Sequence, residues 1–567
     1  MANRKFLHYL ALVGIIALGA ILRFWHLDLK PLWMDEVITA LFSLGRSYND
    51  IPLEEVFSLN RLEQIFTLKP AVSCSQIARN LATQSNHPPL FFCLMHSWVE
   101  APLMGVMAHN WVWMRSLPAW FGVSAIAAVY WLNAKAFSPA AGLVGAAVMA
   151  VSPFAVYLSQ EARHYTLPLL LVTLALLGLI QIQQDLFQTK QLRASVCLGW
   201  AIVNSIGLYV HYFFILAFIA ELVILWALMY WSRVGRKSWV MVGLTVIGVV
   251  VSFIPWLPMM LGQFSRSDTS WLPQPNNIAP LFQTLTSWVL MVIALPLENQ
   301  PLWIAIPSGL LMILFSIWAA WHVFRGLKQL WRTPKTHLST LTLGSFILGV
   351  LLEFFAIVYL NGKDITVAPR YSFVYYPSIC ALIGASFPLP ALLKNCQRRK
   401  LCLFFTFSFL SSVLVVCNLV FQKPFQPQQV AQKMNQEPAV PLMVIMGYKD
   451  YQDVALGLSF ALALEKERSD TSEFAFFKPL PGYDFLWEKL SHLPPPATSK
   501  LNLWVVAPGL KRRHYPPHLA FSDQLSCTLD PTQYDRIGVP YQLYRCQKGA
   551  GGKKDPDGIL RHSLDSL

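Results

Sequence analysis

Charged residues are scarce in this chain: they make up 13% of its 567 residues, whereas 55% are hydrophobic. Soluble domains carry about 25% charged residues, so a shortfall spread over most of the length excludes an ordinary soluble protein and indicates many membrane spans. A cleavable signal peptide is also lacking, because residues 6–22 are apolar behind Arg4 and Lys5 but no small-residue cleavage site follows. We therefore expect residues 1–26 to form a retained first transmembrane helix.

Cysteines with the spacing of metal ligands are lacking as well. Seven of the nine cysteines lie in or beside apolar segments and are predicted to be small buried hydrophobes. Cys527 and Cys546 lie in the polar C-terminal part. They form a disulfide only if that part faces an oxidising compartment, and the sequence leaves this open.

The formal net charge of +14 does not indicate a nucleic-acid partner, because much of the Lys and Arg lies in short loops between apolar runs. A spanning helix needs about 20 mostly apolar residues. Eleven segments are predicted spans: 6–26, 113–133, 138–158, 166–183, 195–211, 213–231, 238–260, 301–324, 339–360, 371–391 and 401–421.

Basic loops assign the sides of the membrane, because cytoplasmic loops collect Lys and Arg. On this rule the N-terminus lies inside, the C-terminus lies outside, and Glu161 lies outside. Two further apolar stretches, 88–107 and 281–297, begin and end outside, so we expect them to lie along the interface. The outer segments are then 27–112, 261–300, 361–370 and 422–567.

The predicted fold is an α-helical polytopic membrane protein of about 11 spans with interfacial helices and a small C-terminal α/β extracytoplasmic domain. In that domain the patterns predict strands at 441–447, 501–507 and 541–545 and a helix at 453–464. The predicted parts are a first helix 1–26, a first extracytoplasmic loop 27–112, a membrane core 113–421, a soluble domain 422–548 and a disordered tail 549–567.

Four polar clusters are predicted to share the outer side. They are Asp35-Glu36, Asn86-His87-Pro88-Pro89, Ser159 to Tyr165 with Glu161, Arg163 and His164, and Pro369-Arg370-Tyr371. Each alone fits an ordinary solvated turn, a helix start or an interfacial anchor. The prediction that all four lie on the same side favours a function. Arg163 and Arg370 are predicted on the side where the basic-loop rule expects few Lys and Arg, and ionisable residues at the ends of spans are functional candidates.

This combination of groups suits one kind of substrate. Arginine forks bind phosphate bidentately, and a carboxylate deprotonates an acceptor hydroxyl or holds a divalent cation against a phosphate. A polyprenyl-phosphate sugar has its phosphate at the headgroup level and its tail in the lipid, and its leaving group is a phosphate that arginines stabilise.

The order of these motifs resembles a known superfamily. The Asp-Glu pair, His-Pro-Pro-Leu, Arg115-Ser-Leu-Pro-Ala-Trp-Phe-Gly, Ser-Gln-Glu-Ala-Arg-His-Tyr and Pro-Arg-Tyr resemble the protein-mannosyltransferase-like, or GT-C, membrane glycosyltransferases. The likeness covers roughly residues 6–392. The superfamily includes the aminoarabinose lipid A transferases. It implies an inverting hexosyl- or pentosyltransferase that uses a polyprenyl-phosphate-linked sugar on the extracytoplasmic, periplasmic or luminal side. The membrane is then a bacterial inner membrane or an endoplasmic reticulum, with the bacterial one favoured.

The resemblance also implies residue roles. Asp35 matches the catalytic aspartate that acts as general base, with Glu36 as its neighbour, and Glu161 matches the acid of the second outer loop that assists a metal or the acceptor. Asp35 and Glu161 are therefore the candidate ligands of a divalent cation, Mg or Mn. A single Glu stands where relatives have Asp-x-Asp, which weakens a metal site. The candidate ligands of the lipid phosphate and substrate are His87, Arg115, Arg163, His164, Tyr165, Arg370 and Tyr371.

Two other functions remain open at this point. A transporter or lipid flippase should place charged groups in the middle of spans, where Glu221 and Glu353 are the main examples here. A non-catalytic envelope-assembly protein would need no convergent carboxylates and arginines. The acceptor, whether a lipid, a glycan or a protein hydroxyl, is not readable from the sequence.

Overall fold

A computed structural model describes residues 2–101, 111–264, 271–387, 395–423, 425–468, 472–494, 498–522 and 525–548. The predicted disordered tail, 549–567, and part of the predicted interfacial stretch, 102–107, lie outside the described residues. The chain divides into two compact units, the first made of Met1–Asp50 with Glu63–Lys423 and the second of Ile51–Leu62 with Pro424–Leu567. Residues 51–62 of the predicted first loop therefore belong to the second unit, and Lys423 belongs to the first.

The first unit is helical. Its helices are α1 (Ala2–Phe24), α2 (Met34–Ser43), α4 (Cys74–Gln84), α5 (Leu90–Glu100), α6 (Trp111–Ala136), α7 (Pro139–Val151), α8 (Pro153–Ser159), α9 (Thr166–Gln184), α10 (Ala194–Leu208), α11 (Phe214–Ser232), α12 (Arg236–Phe253), α13 (Leu257–Phe264), α14 (Ala279–Val292), α15 (Leu302–Arg332), α16 (Pro334–Asn361), α17 (Tyr376–Ser386) and α18 (Asn395–Val416), while α3 (Arg61–Ile65) crosses the division between the units.

Among the described residues, eight helices are long and apolar enough to cross a membrane, and nine if the bent pair α7 and α8 is one span. Two other predicted spans, 195–211 and 371–391, correspond to α10 and α17, which are apolar but have 15 and 11 residues. The multi-pass helical fold is confirmed, and these two crossings stay predictions. Helices α5 and α14, at the predicted interfacial stretches, have 11 and 14 residues, short of the roughly 20 that spanning requires.

Small residues allow two of these helices to touch. A Cβ atom on Gly384 of α17 would lie 2.4 Å from the Cα of Gly145 in α7. Asn133 of α6 joins the same contact, since its Nδ2 donates to the carbonyl oxygens of Ala141 (3.1 Å) and Ala381 (3.0 Å). Close backbone approach at glycine and interhelical hydrogen bonds are the usual means of packing helices where no water drives association.

The predicted span 138–158 is broken by a bend of 60° between α7 and α8. Pro153 has no N–H to continue the helix, and Ser152 caps the new one by accepting from the N–H of Ala155 (3.4 Å) while donating to the carbonyl of Met291 (2.7 Å). The short helix α8 then ends at Ser159 and leads into the turn that carries Glu161 and Arg163.

The second unit contains a seven-stranded mixed sheet in the order β1-β3-β2-β4-β7-β6-β5. Its elements are β1 (Val56–Ser58), α19 (Pro427–Met434), β2 (Leu442–Gly447), α20 (Tyr451–Glu467), β3 (Ser472–Phe477), α21 (Tyr483–Ser491), β4 (Lys500–Val506), β5 (His518–Phe521), β6 (Leu525–Ile537) and β7 (Val539–Lys548). Strands β2, β4, β7 and helix α20 confirm the predicted elements. The other four strands are not in the sequence prediction, and β1 comes from the first loop, pairing antiparallel with β3.

Two disulfides are present among the described residues. Cys527 and Cys546 lie directly opposite each other on β6 and β7 and are bonded, which settles the alternative that the sequence leaves open. Cys74 and Cys93 are also bonded and tie α4 to α5. The prediction that these two are small buried hydrophobes is wrong for Cys74, which is exposed. Cys93 is buried as predicted, but its sulfur is bonded to that of Cys74.

Candidate functional site

The acidic pair lies in the first turn of α2, a ten-residue helix that begins directly after Trp33. Acidic residues are stabilised there by the unpaired N–H groups and the positive end of the helix dipole. The residues of α2 from Val37 to Ser43 are buried, so the packing of the helix holds Asp35 and Glu36 in place. Because the two residues follow each other, their side chains leave the helix in different directions and meet different partners.

Glu36 forms a buried bidentate pair with Arg115 of α6. Its two oxygens accept from Nε (2.8 Å) and Nη2 (2.7 Å) of Arg115, and Oε1 also accepts from the N–H of Ala162 (2.8 Å). Burial raises the pKa of Glu36, but the charge and hydrogen bonds of Arg115 outweigh it, so the pKa lies below its usual value. Both side chains are 1% exposed, which places this pair behind the surface that a substrate reaches.

Arg115 also holds the start of the predicted outer segment in place. Its Nη1 donates to the carbonyls of Leu27 and Lys30 (2.9 Å for the second), and Nη2 lies 3.4 Å from the carbonyl of Pro31. With all of its nitrogen atoms engaged, Arg115 has no donor left for a phosphate. We infer a structural role for Arg115 and Glu36 rather than the binding and catalytic roles that the resemblance implies.

Asp35 lies between two guanidinium groups. Its Oδ2 is 3.5 Å from Nη2 of Arg370 and 3.9 Å from Nε of Arg163. These distances exceed the roughly 2.7–2.9 Å of a charge-assisted hydrogen bond, so the carboxylate retains acceptor capacity. Its side chain is 9% exposed and that of Arg370 is 18% exposed, whereas Arg163 is 3% exposed.

Arg163 is fixed by the backbone of α2 and by a histidine. Its Nη1 donates to the carbonyl of Asp35 (3.0 Å) and to Oγ1 of Thr39 (3.0 Å), and its Nη2 lies 3.0 Å from Nε2 of His87. Its Nε is buried without a hydrogen-bond partner among the described residues, and so is the Nε of Arg370. The two guanidinium groups next to Asp35 thus each keep an unsatisfied donor, an arrangement that an anionic ligand would complete.

Hydrogen bonding fixes the proton on His87. A guanidinium can only donate, so Nε2 of His87 must accept from Arg163, and the ring proton is on Nδ1, 2.8 Å from Oγ of Ser85. Burial together with the charges of Arg163 and Arg370 holds the pKa of His87 well below its usual value. His87 is therefore a neutral residue that orients Arg163.

His164 and the two tyrosines form an aromatic layer beside the arginines. The ring of His164 lies 4.7 Å from those of Tyr165 and His211 and 5.1 Å from that of His87. Tyr371 packs on Phe213 at 4.7 Å, and burial holds the pKa values of His164 and His211 well below the usual range. His211, in the turn after α10, is absent from the predicted site. The one feature of the sequence that could have identified His211 is its position as a polar residue at the predicted outer end of a span.

Lys423 and Trp33 complete the cluster and are also absent from the sequence prediction. The ammonium of Lys423 forms an ion pair with the buried carboxylate of Glu161. Trp33 contacts two cations: Nζ of Lys423 is 4.6 Å from its ring centroid, and the guanidinium carbon of Arg370 is 5.3 Å away. Burial lowers the pKa of Lys423, and the carboxylates of Glu36 and Asp35 act in the opposite direction.

The cluster carries an excess of positive charge. Arg115, Arg163, Arg370 and Lys423 face three carboxylates, and the buried amine of Lys30 adjoins them without a hydrogen-bond partner among the described residues. Burial lowers the pKa of Lys30 to about 7, the charge of Arg115 adds to this effect, and Glu36 opposes it. A buried excess of cations is costly unless a bound anion neutralises it, which makes an anionic substrate the chemical complement of this site.

The carboxylates do not fit the predicted metal site. A divalent cation such as Mg²⁺ is usually held by one or two carboxylates together with waters and substrate phosphates. Here Asp35 faces two guanidinium groups and Glu161 contacts an ammonium. Within the described ranges, no group of three or more His, Cys, Asp or Glu side chains is placed to hold a metal ion.

The structure thus brings the four predicted clusters together, and their residues divide into three groups. Asp35, Arg163, Arg370 and His87 surround one partly accessible carboxylate. Glu36 and Arg115 form the supporting pair, and His164, Tyr165 and Tyr371 form the aromatic layer.

No protein-family model and no curated protein sequence matches the chain. ArnT from Cupriavidus metallidurans in the apo state is similar in structure, with a TM-score of 0.51 at 10% identity over 96% of this chain and 98% of that one. The same protein bound to undecaprenyl phosphate gives 0.50 at 11% identity over the same shares. AglB, the oligosaccharyltransferase of Archaeoglobus fulgidus, gives 0.46 at 13% identity over 88% of this chain and 69% of that one. The chain therefore shares the fold of ArnT over most of its length.

Proposed function

We propose that this protein is an integral-membrane inverting glycosyltransferase that moves a sugar from a polyprenyl-phosphate donor to an acceptor hydroxyl on the extracytoplasmic side. One observation carries the proposal: the Asp35 carboxylate lies between Arg163 and Arg370, each with an unsatisfied Nε donor. This places a proton acceptor beside two phosphate-binding groups, the pair of functions that such a transfer needs.

The reaction is a single displacement. The acceptor O–H bond breaks as its proton passes to a carboxylate oxygen of Asp35, and the hydroxyl oxygen forms a bond to the sugar C1. The bond between C1 and the phosphate oxygen breaks on the opposite face, and its electron pair stays on the phosphate. The charge that develops there is stabilised by Arg370 and Arg163, and attack from the far side inverts the anomeric centre.

The choice of donor class has two supports. The buried excess of cations suits a phosphate, and the similar ArnT structure binds undecaprenyl phosphate. At 11% identity this likeness shows only that the two proteins share a fold. The proposed donor class therefore depends on the charge and geometry of the site, in a fold that binds a polyprenyl phosphate in ArnT.

The side of the membrane is supported by the disulfides. Both bonded pairs, Cys74–Cys93 and Cys527–Cys546, lie on segments that the basic-loop rule puts outside. Disulfides persist in oxidising compartments such as the bacterial periplasm. The two arguments are independent, because one rests on Lys and Arg and the other on thiols.

Transport has less support from the residues in the spans. Glu221, one of the two mid-span acids, accepts from Nε1 of Trp200 (2.7 Å) and from Nδ2 of Asn204 (3.2 Å), both on the adjacent helix α10. This neighbouring partnership explains the presence of Glu221 without a transport pathway.

The proposal is tested by incubating the purified protein with polyprenyl-phosphate sugars and candidate acceptors and measuring release of the polyprenyl phosphate. A companion measurement is mass spectrometry of the lipid-linked sugars that accumulate in cells lacking the protein, which identifies the donor. Acceptor-dependent release that is lost in Asp35→Asn supports the proposal. Equal release by the wild type and by Asp35→Asn contradicts it.

A further inference from the structure

Glu161 has an unusual environment for a carboxylate. It is 1% exposed, and neither of its oxygens accepts a hydrogen bond from the described residues. What it contacts is the ammonium of Lys423, a residue that follows α18 and is far from Glu161 in sequence. A buried carboxylate must be paired or neutralised, and here the pairing cation belongs to the protein itself.

A divalent cation would have to displace this lysine. A metal bound by Glu161 would bring two positive charges next to the ammonium, and like charges at contact distance are strongly unfavourable in a buried site. Asp35, the other predicted ligand, already faces Arg163 and Arg370. The donor chemistry of this chain therefore works against a metal at the position where the sequence resemblance implies one.

Lys423 is also placed next to the proposed phosphate site. Its Nζ lies over the rings of Trp33 (4.6 Å) and Tyr157 (5.0 Å), and Arg370 lies over the same Trp33 ring at 5.3 Å. One indole therefore links the lysine to the arginine that meets Asp35. A cation on the face of an aromatic ring is stabilised by electrostatic attraction to the ring, so the Trp33 ring favours the observed positions of both Lys423 and Arg370.

We propose that the Lys423 ammonium takes the place of a divalent cation beside Glu161, so that sugar transfer by this protein needs no metal. The inference rests on the proposed function. Lys423 is a positioning residue: it neutralises Glu161 and packs on the Trp33 ring that Arg370 also contacts, while the proton still passes to Asp35 and the electron pair to the departing phosphate.

The test compares transfer by the wild-type protein in excess EDTA with transfer in added Mg²⁺ or Mn²⁺, together with the metal content of the purified protein by mass spectrometry. We expect rates within about twofold of each other and less than one metal ion per protein. A wild-type protein that EDTA inactivates and Mg²⁺ or Mn²⁺ restores would overturn the inference.

Variants at position 423 add a second readout. In Lys423→Gln the carboxylate of Glu161 loses its cation, so we expect transfer to fall by about tenfold or more and to be partly restored by Mn²⁺, while Lys423→Arg keeps a metal-independent rate. Lys190→Gln is the matched control, since Lys190 also lies over an aromatic ring and donates to a carbonyl but lies far from this cluster along the chain. The proposed exchange of cations would be contradicted if the rate of sugar transfer fell equally in Lys423→Gln and Lys423→Arg and if no added metal restored it.

The two proposals fail in different ways. Absence of transfer under every metal condition contradicts the glycosyltransferase function. Transfer that occurs but requires a metal contradicts only the role of Lys423. If Lys423→Gln does not fold, the wild-type chelation and metal-content measurements still decide the inference.

Discussion

The carboxylates of Asp35 and Glu36, on consecutive residues, meet different arginines at different distances. Glu36 is in direct bidentate contact with Arg115 at 2.7 and 2.8 Å, whereas Asp35 stands 3.5 Å from Arg370. The first geometry satisfies both partners and suits a structural pair. The second is too long for a direct hydrogen bond, so the Asp35 carboxylate keeps acceptor capacity for a substrate. One turn of helix therefore supplies both a support and a reactive group.

Replacing Asp35 with asparagine should remove activity without affecting folding. The amide keeps the shape of the side chain but cannot take the acceptor proton, and general-base catalysis contributes about 10²–10⁴-fold. We expect release of polyprenyl phosphate to fall within that range, with unchanged yield and thermal stability in detergent. Asp28→Asn, at an exposed position in the same outer segment, should retain the wild-type rate.

Replacing Glu36 with glutamine should instead destabilise the protein. Removing one partner of a buried ion pair leaves the other charge unpaired, at a cost of about 3–5 kcal/mol. We expect a lower unfolding midpoint in detergent. The double variant Glu36→Met, Arg115→Met removes both charges and should recover part of the loss. A double variant less stable than Glu36→Gln would argue that Arg115 acts chiefly through its contacts with backbone carbonyls.

Substitutions of Arg370 should affect donor use more than folding. Arg370→Met removes the partly exposed guanidinium, and loss of a preorganised stabiliser of developing charge costs about 10²–10³ in rate. Arg370→Lys keeps the charge but loses the planar fork, so an intermediate rate is expected. Arg325 also stacks on a tryptophan, at 4.4 Å from Trp321, and Arg325→Met should transfer sugar normally.

Lys30 should make stability depend on pH. Its pKa of about 7 in the folded protein lies below its usual value of 10.5, so between these limits the unfolded chain binds more protons than the folded one and stability rises with pH. We expect the unfolding midpoint of the wild type to increase from pH 7 towards pH 10. Lys30→Met should be more stable than the wild type near pH 7 and should flatten this rise, whereas Lys135→Met, at an exposed position, should keep it.

The Cys74–Cys93 disulfide should be detectable by thiol counting. After free thiols are blocked and the protein is reduced, four cysteines should react in the wild type and two in Cys74→Ser, Cys93→Ser. Loss of a disulfide costs about 2–4 kcal/mol, so the double variant should unfold earlier than Cys402→Ser, which changes a free, exposed cysteine. Four free thiols at these positions in protein from intact cells would contradict the outer location.

Much of the site could be predicted because charge at the ends of spans is rare. The basic-loop rule predicts that Arg163 and Arg370 are on the side poor in Lys and Arg, and the structure brings both to Asp35. Lys423 opposes the same rule at the end of the last span. It escaped prediction because it stands alone after the span, with no motif around it, and was assigned to the C-terminal domain.

Contacts between distant segments were the part that the sequence could not predict. Trp33 has no pattern that distinguishes a cation-binding indole from an interfacial anchor. The pairing of Cys74 with Cys93 depends on the angle between α4 and α5, and β1 has three residues, too few for an alternating pattern.

That short strand has a consequence for biosynthesis. Val56 pairs with Ala475, a partner translated about 400 residues later, after every helix of the first unit has emerged from the ribosome. The seven-stranded sheet is therefore finished only when membrane insertion of those helices is over. A fragment that starts at the C-terminal unit would leave the outer edge of β3 bare and inclined to self-association.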